Sequence, residues 1–140
     1  MTGRSYLLDT HILLAALLSP DRLAESVRAE LENRRNPVYF SSASLWEIAI
    51  KRSLQRERFD FAPKDIHKLA LDCGMIELVV SAQDTYAIAD LPWHHRDFFD
   101  RMLVAQAMNL PAYLLTSDRI LPRYSELVVS CALTHGTANP

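Results

Sequence analysis

The sequence predicts an α/β protein, a three-layer α/β/α sandwich around a central parallel sheet of four or five strands. Two observations carry that prediction. Apolar runs too short for helices recur along the chain, separated by segments with helical spacing and caps. Those runs are also apolar at successive rather than alternate positions, as strands covered by helices on both faces are. No composition shift, repeat or linker divides the 140 residues, so one domain is expected over 1–133, with the polar stretch 134–140 as a flexible tail.

The elements follow in order. "SYLLD" is a short buried strand ending at Asp9, and "THILLAALLSP" is a short helix stopped by Pro20. "DRLAESVRAELENRRN" reads as an amphipathic helix with Asp21 as its cap, Leu23, Val27 and Leu31 spaced four apart, and basic residues at its close. "PVYF" is the second strand. "SSASLWEIAIKRSLQRER" opens on hydroxyls and places Leu45, Ile48, Ala49 and Leu54 on one side of a helix; residues 59–63 are a loop. "KDIHKLALDCG" is a helix stopped by Gly74, and "MIELVV" is the third strand. "SAQDTYAIADLP" is a capped helix, "WHHRDFF" a loop, "DRMLVAQAMNL" a helix and "PAYLLT" the fourth strand. "SDRILPRY" forms a turn or short helix before a last strand, "ELVVS".

The totals exclude several classes. Hydrophobic residues make up 49% and charged residues 23%, an ordinary globular composition. No secretory signal is visible, and no uncharged run reaches the roughly 18 residues a membrane helix needs. Cys73 and Cys131 are isolated, which suggests two buried, reduced thiols and a cytoplasmic protein. The net charge of −2 argues against a surface coated for non-specific nucleic-acid binding. With several acids gathered in one site, however, the remaining surface is mildly basic.

Four carboxylates stand at or near strand–helix junctions, where open parallel sheets bind ligands. Asp9 ends the first strand, Glu47 lies early in the helix after the second, Asp100 opens the helix before the fourth, and Asp118 follows the fourth. Singly, each has a capping or solvated reading. Together they do not, because Asp9, Glu47 and Asp100 sit in apolar sequence that must dock on the sheet. Carboxylates converging in a half-buried cleft repel one another unless a cation joins them. All-oxygen ligation suits Mg²⁺ or Mn²⁺, and no His/Cys cluster of zinc spacing competes.

Other side chains near these acids are candidates for support. Thr10 and Thr116, with Ser117, can orient carboxylates or contact phosphate. Ser41 and Ser42 start a helix, where one of them caps. Lys51, four residues after Glu47, shares its helix face, and Arg96, Arg101 and Arg119 adjoin the last two acids. These cations either bind phosphates along a groove or pair with the acids. The run with Lys51, Arg52, Arg56 and Arg58 reads as a solvated face. His11 reads as a packing residue or one held by a structural hydrogen bond, His94 and His95 as exposed loop residues, and Trp46 and Trp93 as core or interface.

"YLLDTHILL", "SSASLWEIAIK", "HHRDFFDRMLVAQA" and "LLTSDRIL", in that order over roughly residues 5 to 130, resemble the PIN-domain ribonucleases, and more narrowly the VapC-type toxins of bacterial toxin–antitoxin pairs. The resemblance implies a PIN-like fold and a metal-dependent endoribonuclease. It places the family's four metal-holding, catalytic acids on Asp9, Glu47, Asp100 and Asp118, with one or two Mg²⁺ or Mn²⁺ ions. It also implies an RNA substrate, a homodimer and a small antitoxin partner. Asp97, one turn before Asp100, reads as a helix cap or supporting acid. Where related sequences often carry Pro after the first Asp of this motif, Phe98 stands here, a departure in the loop and not in the acids.

Two other classes compete. A haloacid-dehalogenase-type phosphatase needs a second Asp two residues after the first, where this chain has His11, and a receiver domain needs a late strand-end Lys that is missing. A PIN-like module kept for protein interaction and catalytically silent is the remaining alternative, and the presence of all four acids speaks against it.

Overall fold

The apolar runs pleat into strands whose alternate residues feed two different cores. A computed structural model describes residues 3–54 and 60–134. Its strands are β1 (Tyr6–Leu8), β2 (Val38–Ser41), β3 (Ile76–Leu78), β4 (Tyr113–Thr116) and β5 (Val128–Ser130). They form one five-stranded sheet of order β3-β2-β1-β4-β5, with every pairing parallel. Tyr6 and Leu8, Val38 and Phe40, and Tyr113 and Leu115 enter one hydrophobic cluster. Leu7, Tyr39 and Leu114, between them, enter the other. The two-residue period of a strand therefore explains why these runs are apolar throughout.

The helices divide between the two faces. They are α1 (Thr10–Leu18), α2 (Glu25–Glu32), α3 (Ser42–Ser53), α4 (Pro63–Asp72), α5 (Ala82–Asp90) and α6 (Phe98–Asn109). Ile12 and Leu13 of α1, Val27 and Leu31 of α2, Ile48 of α3, and Ile66 and Ala70 of α4 pack on the first cluster. Ala87 and Ile88 of α5 and Leu103, Val104 and Ala107 of α6 pack on the second. The three-layer sandwich is thus observed, with five strands.

Local chemistry sets the element ends. Gly74 follows α4 with φ +84°, a left-handed conformation that glycine adopts without strain, and lets the chain turn into β3. Ser81 and Asp84 form a reciprocal capping box at the start of α5. Two starts differ from the sequence reading. Asp21 lies in a 3₁₀ turn, Pro20–Arg22, and α2 begins at Glu25 without a side-chain cap, because Pro20 favours the tight turn at its own position. The helix expected from Asp100 begins at Phe98 instead, because Asp97 caps it, as one of its two expected readings had it: the Asp97 Oδ1 accepts the Asp100 N–H at 3.0 Å, which puts Asp100 in the first turn. Cys131 is buried, but Cys73 is exposed at the C-terminal end of α4.

Thr134 still hydrogen-bonds the Arg22 carbonyl at 2.9 Å. The expected basic positions Arg56 and Arg58, the loop start at Phe59 and the tail residues 135–140 lie outside the described residues. Among the described residues no helix is long and apolar enough to cross a membrane.

The topology locates the site. The chain leaves β1 for β2 and β3 on one side, then crosses back to β4 and β5 on the other. Helices departing in opposite senses open a crevice beyond the carboxyl end of β1, at the point where strand order reverses. Asp9 is the first residue past that end.

Candidate metal centre

Asp9 is fixed by three donors, two backbone amides and a hydroxyl. It is the N-cap of α1, where Oδ1 accepts the Ile12 N–H at 2.8 Å. Its Oδ2 accepts the Thr116 hydroxyl and, at 3.3 Å, the Ser117 N–H. The side chain is 4% exposed, and burial raises its carboxyl above the ordinary range even though these donors, and the charge of nearby His11, act to lower it. Thr116 does a second job, accepting the Asp118 N–H at 3.0 Å, so one hydroxyl ties the acids after β1 and β4 together.

Glu47 arrives from α3. The Ser41 hydroxyl at the N-cap accepts the Ala43 N–H and starts this helix directly off β2, so its second turn faces the crevice. Glu47 is 4% exposed. Its Oε1 accepts the Thr10 hydroxyl, which also lies 3.0 Å from Ser44 Oγ, and its Oε2 pairs with Lys51 Nζ at 2.9 Å. Lys51 is therefore engaged with the acid. Ser42 turns elsewhere and accepts the Val80 N–H at 3.2 Å, just past β3.

Asp118 and His95 close the opposite wall. Asp118 Oδ1 accepts the Ile120 and Leu121 N–H groups at 2.7 and 3.3 Å, while Oδ2 lies 2.8 Å from His95 Nε2. Burial pushes the carboxyl up, but the Ile120 N–H, the His95 ring and the Leu121 N–H together hold it below the ordinary value. His95 Nε2 is 3.8 Å from Asp100 Oδ2.

Asp100 is the group on which the site's charge converges. Burial first, then the charges of Asp97, Asp9, Glu47 and Asp118, push its carboxyl up to about 8. All four expected acids are thus electrostatic neighbours. Among the described residues, the donor atoms of His95, Asp100 and Asp118 lie within 4.8 Å of one another. Asp9 and Glu47 do not join them at that spacing. Oxygen donors with excess negative charge and few cations suit a hard divalent ion such as Mg²⁺ or Mn²⁺, so the residues fit such a group.

Several side chains lie elsewhere than the sequence reading put them. Arg101 is no phosphate contact: it is 3% exposed, and its guanidinium donates to the carbonyls of Pro92, Ile88 and Leu91 and to the Tyr124 hydroxyl, beneath the Trp93 ring at 3.9 Å. Arg119 and Arg96 are exposed beside the acids. His11 is exposed, which sets aside the packing alternative alone, and His95, far from being an exposed loop residue, has a side chain only 18% exposed. Trp46 and Trp93 are 56% and 77% exposed; Trp46 rests on Phe99 at 4.9 Å and Phe98 at 6.1 Å, immediately before Glu47. His95 is the neighbour of the acids that sequence reasoning did not bring into the site. Its one signal was a place in the loop before the third acid.

The PIN-domain family model matches residues 6–127. No curated protein matches the chain at a significant level. Among solved structures, the chain is similar to one of VapBC2 from Rickettsia felis bound to a DNA fragment from its promoter: 17% identity, TM-score 0.67, 93% of this chain and 99% of that one. It is also similar to FitAcB from Neisseria gonorrhoeae, at 19% identity and TM-score 0.58 over 89% and 96% of the two chains. At these identities the likeness is one of fold.

Proposed function

The chain belongs to the PIN-domain family, and from that premise we propose that it is a Mg²⁺- or Mn²⁺-dependent endoribonuclease serving as the toxin of a toxin–antitoxin pair. The observation that carries the reading is the clustering of acids at one site of a PIN-family fold: the donor atoms of Asp100 and Asp118 lie within 4.8 Å of one another, and burial with the charges of Asp97, Asp9, Glu47 and Asp118 pushes the Asp100 carboxyl up to about 8. A fold held together by a large apolar core does not need such a concentration of charge, and a divalent cation relieves it.

Asp100 and Asp118 would hold the ion, with Asp9 and Glu47 completing its acidic surroundings. When bound, the ion supplies acidified water for attack and neutralises charge developing on the phosphodiester. The chain's own groups prepare that step. Thr116 and the Ile12 and Ser117 amides keep the Asp9 carboxylate at the cleft floor. Thr10 and Lys51 hold Glu47. Arg96 and Arg119, exposed and adjacent in sequence to the acids, would meet RNA phosphates. A small antitoxin partner belongs to the same proposal and is supported by the solved complexes VapBC2 and FitAcB, whose folds this chain shares; a homodimer and a cytoplasmic location complete the proposal.

The test is cleavage of a synthetic single-stranded RNA by the purified chain, free of any antitoxin. Cleavage with Mn²⁺ that EDTA stops, and that Asp100→Asn loses, is the expected result. A chain that binds no Mn²⁺ and leaves RNA intact is instead a PIN-like interaction module.

A further inference from the structure

We propose that His95 is a positioning residue of the metal centre, an outer partner that orients Asp118 rather than a ligand of the ion. The inference rests on the metal-dependent reading above.

Proximity alone allows two roles, since the His95, Asp100 and Asp118 donor atoms lie within 4.8 Å of one another. The hydrogen bonds choose between them. His95 Nδ1 lies 3.0 Å from the Asp97 backbone nitrogen, which has only a proton to offer, so Nδ1 accepts. A neutral imidazole whose Nδ1 accepts carries its proton on Nε2. Nε2 therefore donates to Asp118 Oδ2 at 2.8 Å and has no lone pair for an ion. Asp118 Oδ1 is already fixed by the Ile120 and Leu121 amides. With His95 on Oδ2, the carboxylate is held at both oxygens, and Oδ2 retains a lone pair directed elsewhere.

The backbone that carries the ring is also held. The main-chain N–H of His95 donates to the Tyr124 hydroxyl at 2.9 Å, and that hydroxyl accepts Arg101 Nη1 at 3.1 Å. Arg101 is buried, and its Nη1 and Nη2 groups also donate to the carbonyls of Pro92, Ile88 and Leu91. Arg101 and Tyr124 thus fix the backbone of the residue whose ring meets Asp118. Outer partners of this kind typically change metal affinity 10–100-fold when removed.

The experiment compares wild type, His95→Ala and His95→Gln, whose amide N–H reaches where Nε2–H does. Mn²⁺ affinity is measured by calorimetry, with melting in EDTA as the folding control. His95→Ala should bind Mn²⁺ roughly tenfold more weakly and His95→Gln should recover most of the loss. Nitrogen NMR of the metal-free ring should show the proton on Nε2. Pulsed EPR of the Mn²⁺ form should show no directly coordinated nitrogen. A proton on Nδ1, a nitrogen coupling that disappears in His95→Ala, or wild-type affinity in a folded His95→Ala each overturns the inference while leaving the nuclease reading standing. If His95→Ala does not fold, His95→Gln and the two spectra decide it. Wild type that binds no Mn²⁺ overturns both.

Discussion

Asp118 and Asp100 face the same small volume but are prepared in opposite ways. Asp118 follows a strand, and the turn after it folds two backbone N–H groups onto one carboxylate oxygen while His95 meets the other. Its carboxyl is held below the ordinary range. Asp100 rides in the first turn of α6, where its own N–H is spent on Asp97, and its carboxylate meets other acids. Its carboxyl is pushed up to about 8. A strand-end turn brings donors with it; a helix side chain brings only what lies opposite. One wall of the cleft is thus stable without an ion, and the other is costly until one arrives.

The sharpest way to break this contrast is Asp100→Asn. RNA cleavage should fall by a factor on the order of 10²–10³, read on a gel with Mn²⁺ present. In EDTA at pH 8 the same variant should melt about 2–6 °C above wild type, since a repelled charge has been removed. A lower melting temperature would mean that Asp100 is not the uncompensated group.

The next effect is a pH dependence. The Asp100 carboxyl rises from an ordinary 3.8 to about 8 on folding, so the folded chain binds more protons across that window. Stability without metal should therefore fall as pH rises from about 4 to about 8, and Mn²⁺ should reverse the loss. Urea midpoints in EDTA at pH 5 and pH 8 measure it. Asp100→Asn should flatten the slope, whereas a wild-type midpoint that climbs with pH counts against the assignment.

Asp9→Asn should act in the opposite sense. Its oxygens receive the Ile12 amide, the Thr116 hydroxyl and the Ser117 amide, and an asparagine NH₂ would confront one of these donors. A cost of about 1–3 kcal/mol in urea unfolding is expected. Lys51→Met should cost about as much, because it leaves Glu47, 4% exposed, with the Thr10 hydroxyl alone. Smallest of all is Lys68→Met, which breaks an exposed pair with Asp72 and should leave the unfolding midpoint unmoved.

Much of this was legible in the residues because it is local. Runs such as "YLL" and "YLLT" announce strands covered on both faces, and acids embedded in "LWEIAIK" and "DRMLVA" announce side chains forced toward a cleft. What was not legible depends on partners distant in sequence. His95 acquires its role from Asp118, 23 residues on, and Arg101 is claimed by the carbonyls of Ile88, Leu91 and Pro92 and by Tyr124. Nothing in a charge adjacent to an acid says which of them it will meet. Of the two readings of Trp46, core and interface, the core one does not hold, because on α3 the buried face is that of Glu47 and Ile48.

Arg101 has one more consequence. Its guanidinium gathers carbonyls from the end of α5 and from the loop beyond it, while its backbone belongs to the turn of α6 that carries Asp100. These pieces cannot loosen one at a time without stranding a buried positive charge. Amide exchange should accordingly show the end of α5, the following loop and the start of α6 opening together, with a shared free energy, as one cooperative unit. The cleft wall would then be either wholly formed or wholly lost.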